Sequence, residues 1–214
     1  MRTLAFAFFA AAVTVSLALP AVADMTFTVT KDSTMDGNAG QLMRVSEPGF
    51  PSETYFIFVG QDDMVRVYAV RSDLDGTWTT PLTPVYLVPA TTISAGQTWA
   101  FLPMGGAFQT VAEAITMEMV TTNAGSFISW RVDVTALGAP DTVLTTFWFA
   151  SDVGWVKQVE YEAGKVVWRT ELQTYDVSGS GYLPLVIGNT WSYVGLEVPN
   201  QATSIGKIKG SYAH

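Results

Sequence analysis

The chain is 214 residues long and carries 19 acidic against 11 basic side chains, no cysteine, and one histidine, the final residue His214. These counts exclude Cys/His zinc sites, disulfides, a Ser-His-Asp triad and a thiol nucleophile. Any metal site would have to be built from oxygen ligands.

Residues 1–23 read as a cleaved secretory signal: Arg2 gives the positive start, 3–19 is an almost unbroken apolar run, and Ala21-Val22-Ala23 is a small-x-small cleavage site. Pro20 and the small-residue exit distinguish it from a transmembrane anchor, and no cysteine follows for a lipid anchor. The expected location is therefore periplasmic or extracellular. The remaining 191 residues hold 10 basic and 19 acidic groups, net −9, which disfavours nucleic acid and anionic membranes as partners. No later apolar run is long enough for a transmembrane helix. A chain of this length buries about 70% of its extended surface in one core, enough to dispense with disulfides.

From residue 24 the apolar residues recur at period two, rich in Val, Thr, Ile, Phe, Tyr and Trp, and are broken by Gly, Asn, Asp and Pro clusters. Strands are predicted over 26–31, 41–46, 53–60, 64–71, 76–80, 98–102, 110–122, 126–135, 142–150, 154–162, 166–177 and 190–197. The segment 111–120 also admits a helix, because Val111, Ile115 and Met119 share a helical face. A turn at Glu162-Ala163-Gly164-Lys165 predicts a hairpin that sets Tyr161 against Val166, Val159 against Trp168 and Trp155 against Leu172. Its other face sets Gln158 against Arg169, with Glu160 diagonal to it. Residues 179–181 read as a flexible lead-in to the last strand, and 199–214 as a loose tail.

Four segments recur in order. Asn38-Ala39-Gly40 with Arg44-Val45 returns as Asn123-Ala124-Gly125 with Arg131-Val132, and Thr54-x-Phe56-x-Phe58 as Thr145-x-Phe147-x-Phe149. Val65-Arg66 returns as Val156-Lys157, and Gly96-x-Thr98-Trp99-x-Phe101 as Gly188-x-Thr190-Trp191-x-Tyr193. An offset this long does not suit a solenoid; it points to two copies of about six strands, 25–102 and 108–197, within a single β domain spanning 24–198.

The second copy resembles a loose family of uncharacterised bacterial exported β-rich proteins. The resemblance rests on Pro184-Leu185-x-x-Gly188-x-Thr190-Trp191, Ala124-Gly125-Ser126-Phe127, Gly154-Trp155-Val156-Lys157 and Glu171-Leu172-x-x-Tyr175. Ser126 stands where the pattern has threonine. The resemblance implies an all-β, strongly curved antiparallel sheet, half-barrel or clam-like, similar in shape to periplasmic lipoprotein carriers but lacking a counterpart to their helical lid.

Among chemical candidates, Asp73-Leu74-Asp75-Gly76 has the alternating oxygens of a calcium loop, yet Thr77-Trp78-Thr79-Thr80 supplies no closing carboxylate, so it reads as a hairpin turn. Asp62-Asp63 and Asp32 with Asp36-Gly37-Asn38 read the same way. Glu160 and Glu162 lie about 7 Å apart along one strand face, near the carboxylate spacing of inverting glycosidases. Arg169 and Lys165 across the ladder favour plain ion pairs there. No Ser-x-x-Lys or Gly-x-Ser-x-Gly is present.

The aromatics carry more. Trp130, Phe147, Phe149, Trp155, Tyr161 and Trp168 project from adjacent strands, as core or as the lining of a concave pocket. Arg66 beside Tyr68, and Lys157 in the other copy, place one cation amid aromatics, either snorkelling at a rim or meeting the head of an anionic amphiphile. The composite expectation is a non-catalytic exported binding or envelope-associated protein. Its aromatic concave face would receive an apolar or amphipathic small molecule or an envelope protein, with no metal and no cofactor. The alternatives are a structural or interaction module with a filled core and, further off, a carboxylate-based hydrolase of envelope polysaccharide. An outer-membrane barrel fits less well, because the chain ends Tyr212-Ala213-His214 without a terminal aromatic.

Overall fold

Alternating β-branched and aromatic residues between turn-forming pairs give one antiparallel sheet of thirteen strands in a computed structural model that describes residues 23–80, 85–102 and 110–197. Of the predicted signal segment 1–23, residues 1–22 lie outside the described residues, as does the predicted tail 199–214. The strands are β1 (Ala23–Met35), β2 (Asn38–Ser46), β3 (Glu53–Val59), β4 (Met64–Ser72), β5 (Trp78–Thr79), β6 (Val85–Pro89) and β7 (Thr98–Leu102). They continue as β8 (Thr110–Thr122), β9 (Gly125–Ala136), β10 (Ala139–Ala150), β11 (Gly154–Glu162), β12 (Lys165–Asp176) and β13 (Thr190–Glu197). The segment that also admitted a helix is a strand, β8. The strand absent from the sequence reading is β6, a short run ending in Pro89.

The spatial order is β5-β4-β3-β2-β1-β13-β12-β11-β10-β9-β8-β7, with β6 also on β4. Two meanders, β1 to β4 and β8 to β12, meet where β13 inserts between β12 and β1. The sheet is curved and not closed; β6, held at one end, comes alongside β7 from the other without pairing to it.

Curvature gives the sheet an inner face that carries the main core. Phe27, Met43, Tyr55, Ile57, Trp99, Phe101, Val132, Phe147, Phe149, Trp155, Trp191 and Tyr193 all belong to it. A second cluster of Leu42, Phe56, Phe58 and Ala69, flanked by Met35, Tyr68 and Trp78, covers the outer face of β2 to β4. Strand β3 is thus apolar on both sides and buried from Thr54 to Phe58.

The β11–β12 hairpin turns where expected, with Ala163 and Gly164 at φ 49° and 74° and with Glu162 facing Lys165 and Tyr161 facing Val166. One residue further on the register departs from the sequence reading. A bulge at Val167 sets Glu160 opposite Trp168, Val159 opposite Arg169 and Gln158 opposite Thr170. The cause lies on the next strand. Gly195 has no side chain, and the Trp168 indole lies so close over it that an added Cβ would strike the ring. The bulge turns Trp168 onto that slot and sends Arg169 outward.

The segment between β12 and β13 is fastened, unlike the flexible lead-in predicted for it. Asn189, 3% exposed, accepts from the Ser178 amide at 2.9 Å and donates to the carbonyls of Ser178 (2.9 Å) and Pro184 (2.8 Å). The Gly181 amide donates to Asp152 Oδ1 at 3.0 Å, which ties this segment to the β10–β11 turn.

Candidate functional site

The predicted aromatic set divides between the two faces of the sheet. Trp130, Phe147, Phe149 and Trp155 face inward and are 9%, 0%, 2% and 4% exposed. Trp155 stacks on Tyr193 with centroids 4.3 Å apart, Phe27 meets both edge-on at 5.9 and 5.3 Å, and Phe147 contacts Phe149 at 5.9 Å and Phe101 at 5.4 Å. Two of the rings bond to backbone within the core: Tyr193 Oη donates to the Trp155 carbonyl at 2.7 Å, and Trp191 Nε1 to the Val153 carbonyl at 2.6 Å. Among the described residues, a cavity of about 20 Å³ lies between Phe27, Met43, Leu87, Phe149, Leu183 and Trp191. That volume admits roughly one water.

The predicted cations lie on the outer face. Ladder pairing lines up Arg131, Trp148, Lys157 and Glu171 on neighbouring strands. Lys157 Nζ is 3.2 Å from Glu171 and 5.6 Å from the centre of the Trp148 ring. Trp148 Nε1 donates to Glu118, and Arg131 grips Asp133 with two bonds of 3.0 and 2.8 Å while Thr146 donates to the same carboxylate at 2.7 Å. Tyr161 alternates onto this face with Lys157 and Val159. With Arg169 facing Glu171 at 3.9 Å, the ladder balances three cations against three carboxylates.

Arg66 stands outside too, opposite Phe58, its guanidinium 4.5 Å from the Tyr86 ring centre and paired with Asp62. A bulge at Tyr68 puts Val70 opposite Tyr55, on the face away from Arg66. Tyr68 donates to Asp36 Oδ2 at 2.6 Å. The structure therefore brings Trp130, Phe147, Phe149 and Trp155 together, sets Lys157 and Tyr161 on the opposite face of the same strands, and holds Arg66 and Tyr68 on the outer face of β4.

Trp168 and Glu160 form a separate inner group toward the β11–β12 turn. Gln158, 2% exposed, donates from Nε2 to Glu160 Oε1 at 2.7 Å, and Trp168 Nε1 donates to Thr170 Oγ1 at 3.0 Å. Burial among these groups pushes the Glu160 carboxyl up to about 7. Glu162 sits exposed at the turn, so the two carboxylates singled out by spacing occupy different surroundings, and Arg169 faces Val159 instead of Gln158.

The acidic turns are engaged locally. Asp75 accepts from the Thr77 amide at 2.9 Å, Asp73 pairs with Arg44 at 3.0 Å, Asp63 accepts from Thr91 at 3.0 and 2.6 Å, and Asp32 accepts from Gln41 at 3.2 Å. Among the described residues no group of three His, Cys, Asp or Glu side chains is placed to hold a metal.

Sequence reasoning missed two residues that organise the site, Asn189 and Gly195. Asn189 occupies the open position of the Gly188-x-Thr190-Trp191 motif, where a small polar residue before a strand was the available signal. Compared with protein-family models, with curated proteins and with solved structures, the chain finds no match.

Proposed function

We propose that this protein is a non-catalytic, exported interaction module of the bacterial cell envelope. It works through its outer surface and strand edges, with the hollow of its sheet filled by its own rings. The observation that carries this reading is the mutual packing of Phe27, Phe147, Phe149, Trp155 and Tyr193, each under 5% exposed, around a cavity too small for an acyl chain. The outward placing of Arg66 and Lys157, both in ion pairs, supports it further, since neither reaches the hollow to meet an anionic head group.

The test is uptake of an apolar probe. Protein purified from the exporting cell should appear in native mass spectrometry at its apo mass and leave a hydrophobic dye unenhanced. A co-purified fatty acid or phospholipid, or stoichiometric dye binding, would overturn the reading in favour of a carrier. The single-domain architecture also fits two tandem units. The last strand of the first, β7, pairs with the first strand of the second, β8, and β13 pairs in turn with β1.

A further inference from the structure

Strand β8 is thirteen residues long, but its neighbour β7 covers only its beginning. The β7 ladder runs from Leu102 opposite Thr110 to Thr98 opposite Glu113, and the last backbone bonds on that side join Ala114 to Gly96 (2.7 Å) and Gln97 (2.9 Å). From Thr116 to Thr122, β8 pairs with β9 alone among the described residues. The turn after it has two residues, with Thr122 opposite Gly125. Alternation from that pair directs the amides and carbonyls of Met117, Met119 and Thr121 away from β9, toward the uncovered edge.

The same stretch exposes apolar side chains. Met117 is 52% exposed, Met119 63%, and Ile128, directly opposite Met119, 60%. The reverse face of the ribbon is spent on the body: Val120 is buried, the Phe127 ring meets Tyr175 at 5.8 Å, and the Ala124 amide donates to the Leu172 carbonyl at 3.2 Å. A long uncovered edge with a greasy flank is a template for strand addition, and monomeric proteins blunt such edges with charge. This chain does so elsewhere. Where β1 runs past its β13 partner after Thr28, the uncovered positions include Lys31 and Asp32, both exposed.

Building on the interaction-module reading, we infer that the Thr116–Thr122 edge of β8 is a docking site for a second copy of this chain, joined by antiparallel β8–β8 pairing about a two-fold axis. The edge is complementary to itself in charge and shape. Pairing about Met119 sets Met119 on Met119, Met117 on Thr121 and Thr116 on Thr122 of the copy. Glu118, the single charge in the stretch, then lies opposite Val120 and not opposite another carboxylate. In a molecule of net charge −8, this strip is where a like-charged copy approaches with least repulsion. Seven ladder residues and the Met117–Met119–Ile128 flank bury on the order of 1,000 Å² in total, at the lower limit for a specific interface. The dimer therefore dissociates on dilution.

Sedimentation velocity of the full chain over a range of concentrations tests this, together with hydrogen exchange. The expected result is a reversible monomer–dimer equilibrium in which the Met117 and Met119 amides gain protection as concentration rises while the Val120 amide, bonded to β9, does not change. Met119→Pro removes an outward amide, and the double variant Met117→Lys, Met119→Lys puts charge on exposed positions that the fold does not need. Each should weaken association roughly tenfold or more while leaving the circular dichroism spectrum unchanged. A chain that stays monomeric throughout, or a dimer that both variants leave intact, would overturn the inference. Neither outcome touches the dye and lipid assay, so failure of this interface and failure of the filled-core reading are separable.

Discussion

Glu160 shows how a single side chain is governed by a ladder shift one strand away. The bulge at Val167 brings Trp168 across from it, and Gln158 and Trp168 then shield a carboxyl that regular pairing would have left beside Arg169. Burial lifts its folded value to about 7 from an ordinary 4.5. An acid raised in this way keeps a proton in the folded chain that the unfolded chain has already released. Its contribution to stability accordingly falls as pH climbs from about 4.5 to about 7 and is constant above that. Glu160→Gln, which retains an acceptor for Gln158, should flatten this portion of the pH–stability curve and exceed the wild type above pH 7 by about 1–2 kcal/mol, allowing for its partial exposure. Urea midpoints of both proteins between pH 4 and 8 check it; parallel curves would show that Glu160 titrates as an ordinary surface carboxylate.

At the scale of elements, the joint between β12 and β13 is fastened by Asn189. Its amide closes the 177–189 segment by bonding Ser178 and Pro184, while its own carbonyl accepts from the Val29 amide at 2.9 Å and so fixes where β1 meets β13. Asn189→Ala strands the Ser178 amide and two carbonyls in a buried place, a loss of roughly 3 kcal/mol. The expected signature is a lowered urea midpoint together with faster exchange of the Val29 amide. Asn189→Asp should destabilise as well, because it keeps the acceptor but loses both donations. What the sequence made legible here was the strands: alternation placed β7, β8, β11 and β13 at their observed limits, since turn chemistry and period two act locally. What it hid was set across strands. The bulges at Val167 and Tyr68 depend on Gly195 and on the partner β3, and they decided the faces of Glu160, Trp168 and Val70. Of the six aromatics singled out, Trp130, Phe147, Phe149 and Trp155 come together in the core while Tyr161 and Trp168 do not, and whether rings line a hollow or fill it depends on Phe27, Met43 and Tyr193 approaching from the far side of the curve, which no local pattern encodes.

For the molecule as a whole, the exchange of end strands matters most. By sequence the first half ends in β7 and the second in β13, but β7 lies on β8 and β13 lies between β12 and β1. Corresponding positions follow this exchange unevenly. Trp99 and Phe101 on β7 face the core as Trp191 and Tyr193 do on β13, and Arg66 and Lys157 both face outward. The Phe echo is out of phase, for Phe147 and Phe149 share the inner face with Tyr55 and Ile57, while Phe56 and Phe58 point out. The open seam beside β6 completes the pattern: β12 pairs with β13, whereas β6 and β7, which would be their counterparts, lie side by side unpaired. Without the other half β7 has no partner strand, β1, β8 and β13 each lose the neighbour on one edge, and each half keeps only part of a shared core. A chain divided between residues 102 and 110 should therefore yield two fragments that are each unfolded alone and that associate one-to-one into a β-sheet complex on mixing. Far-ultraviolet circular dichroism and size-exclusion chromatography of the separate and mixed fragments decide it. If either fragment alone shows a cooperative unfolding transition, that half owns a complete core, and the exchanged strands join two domains instead of building one.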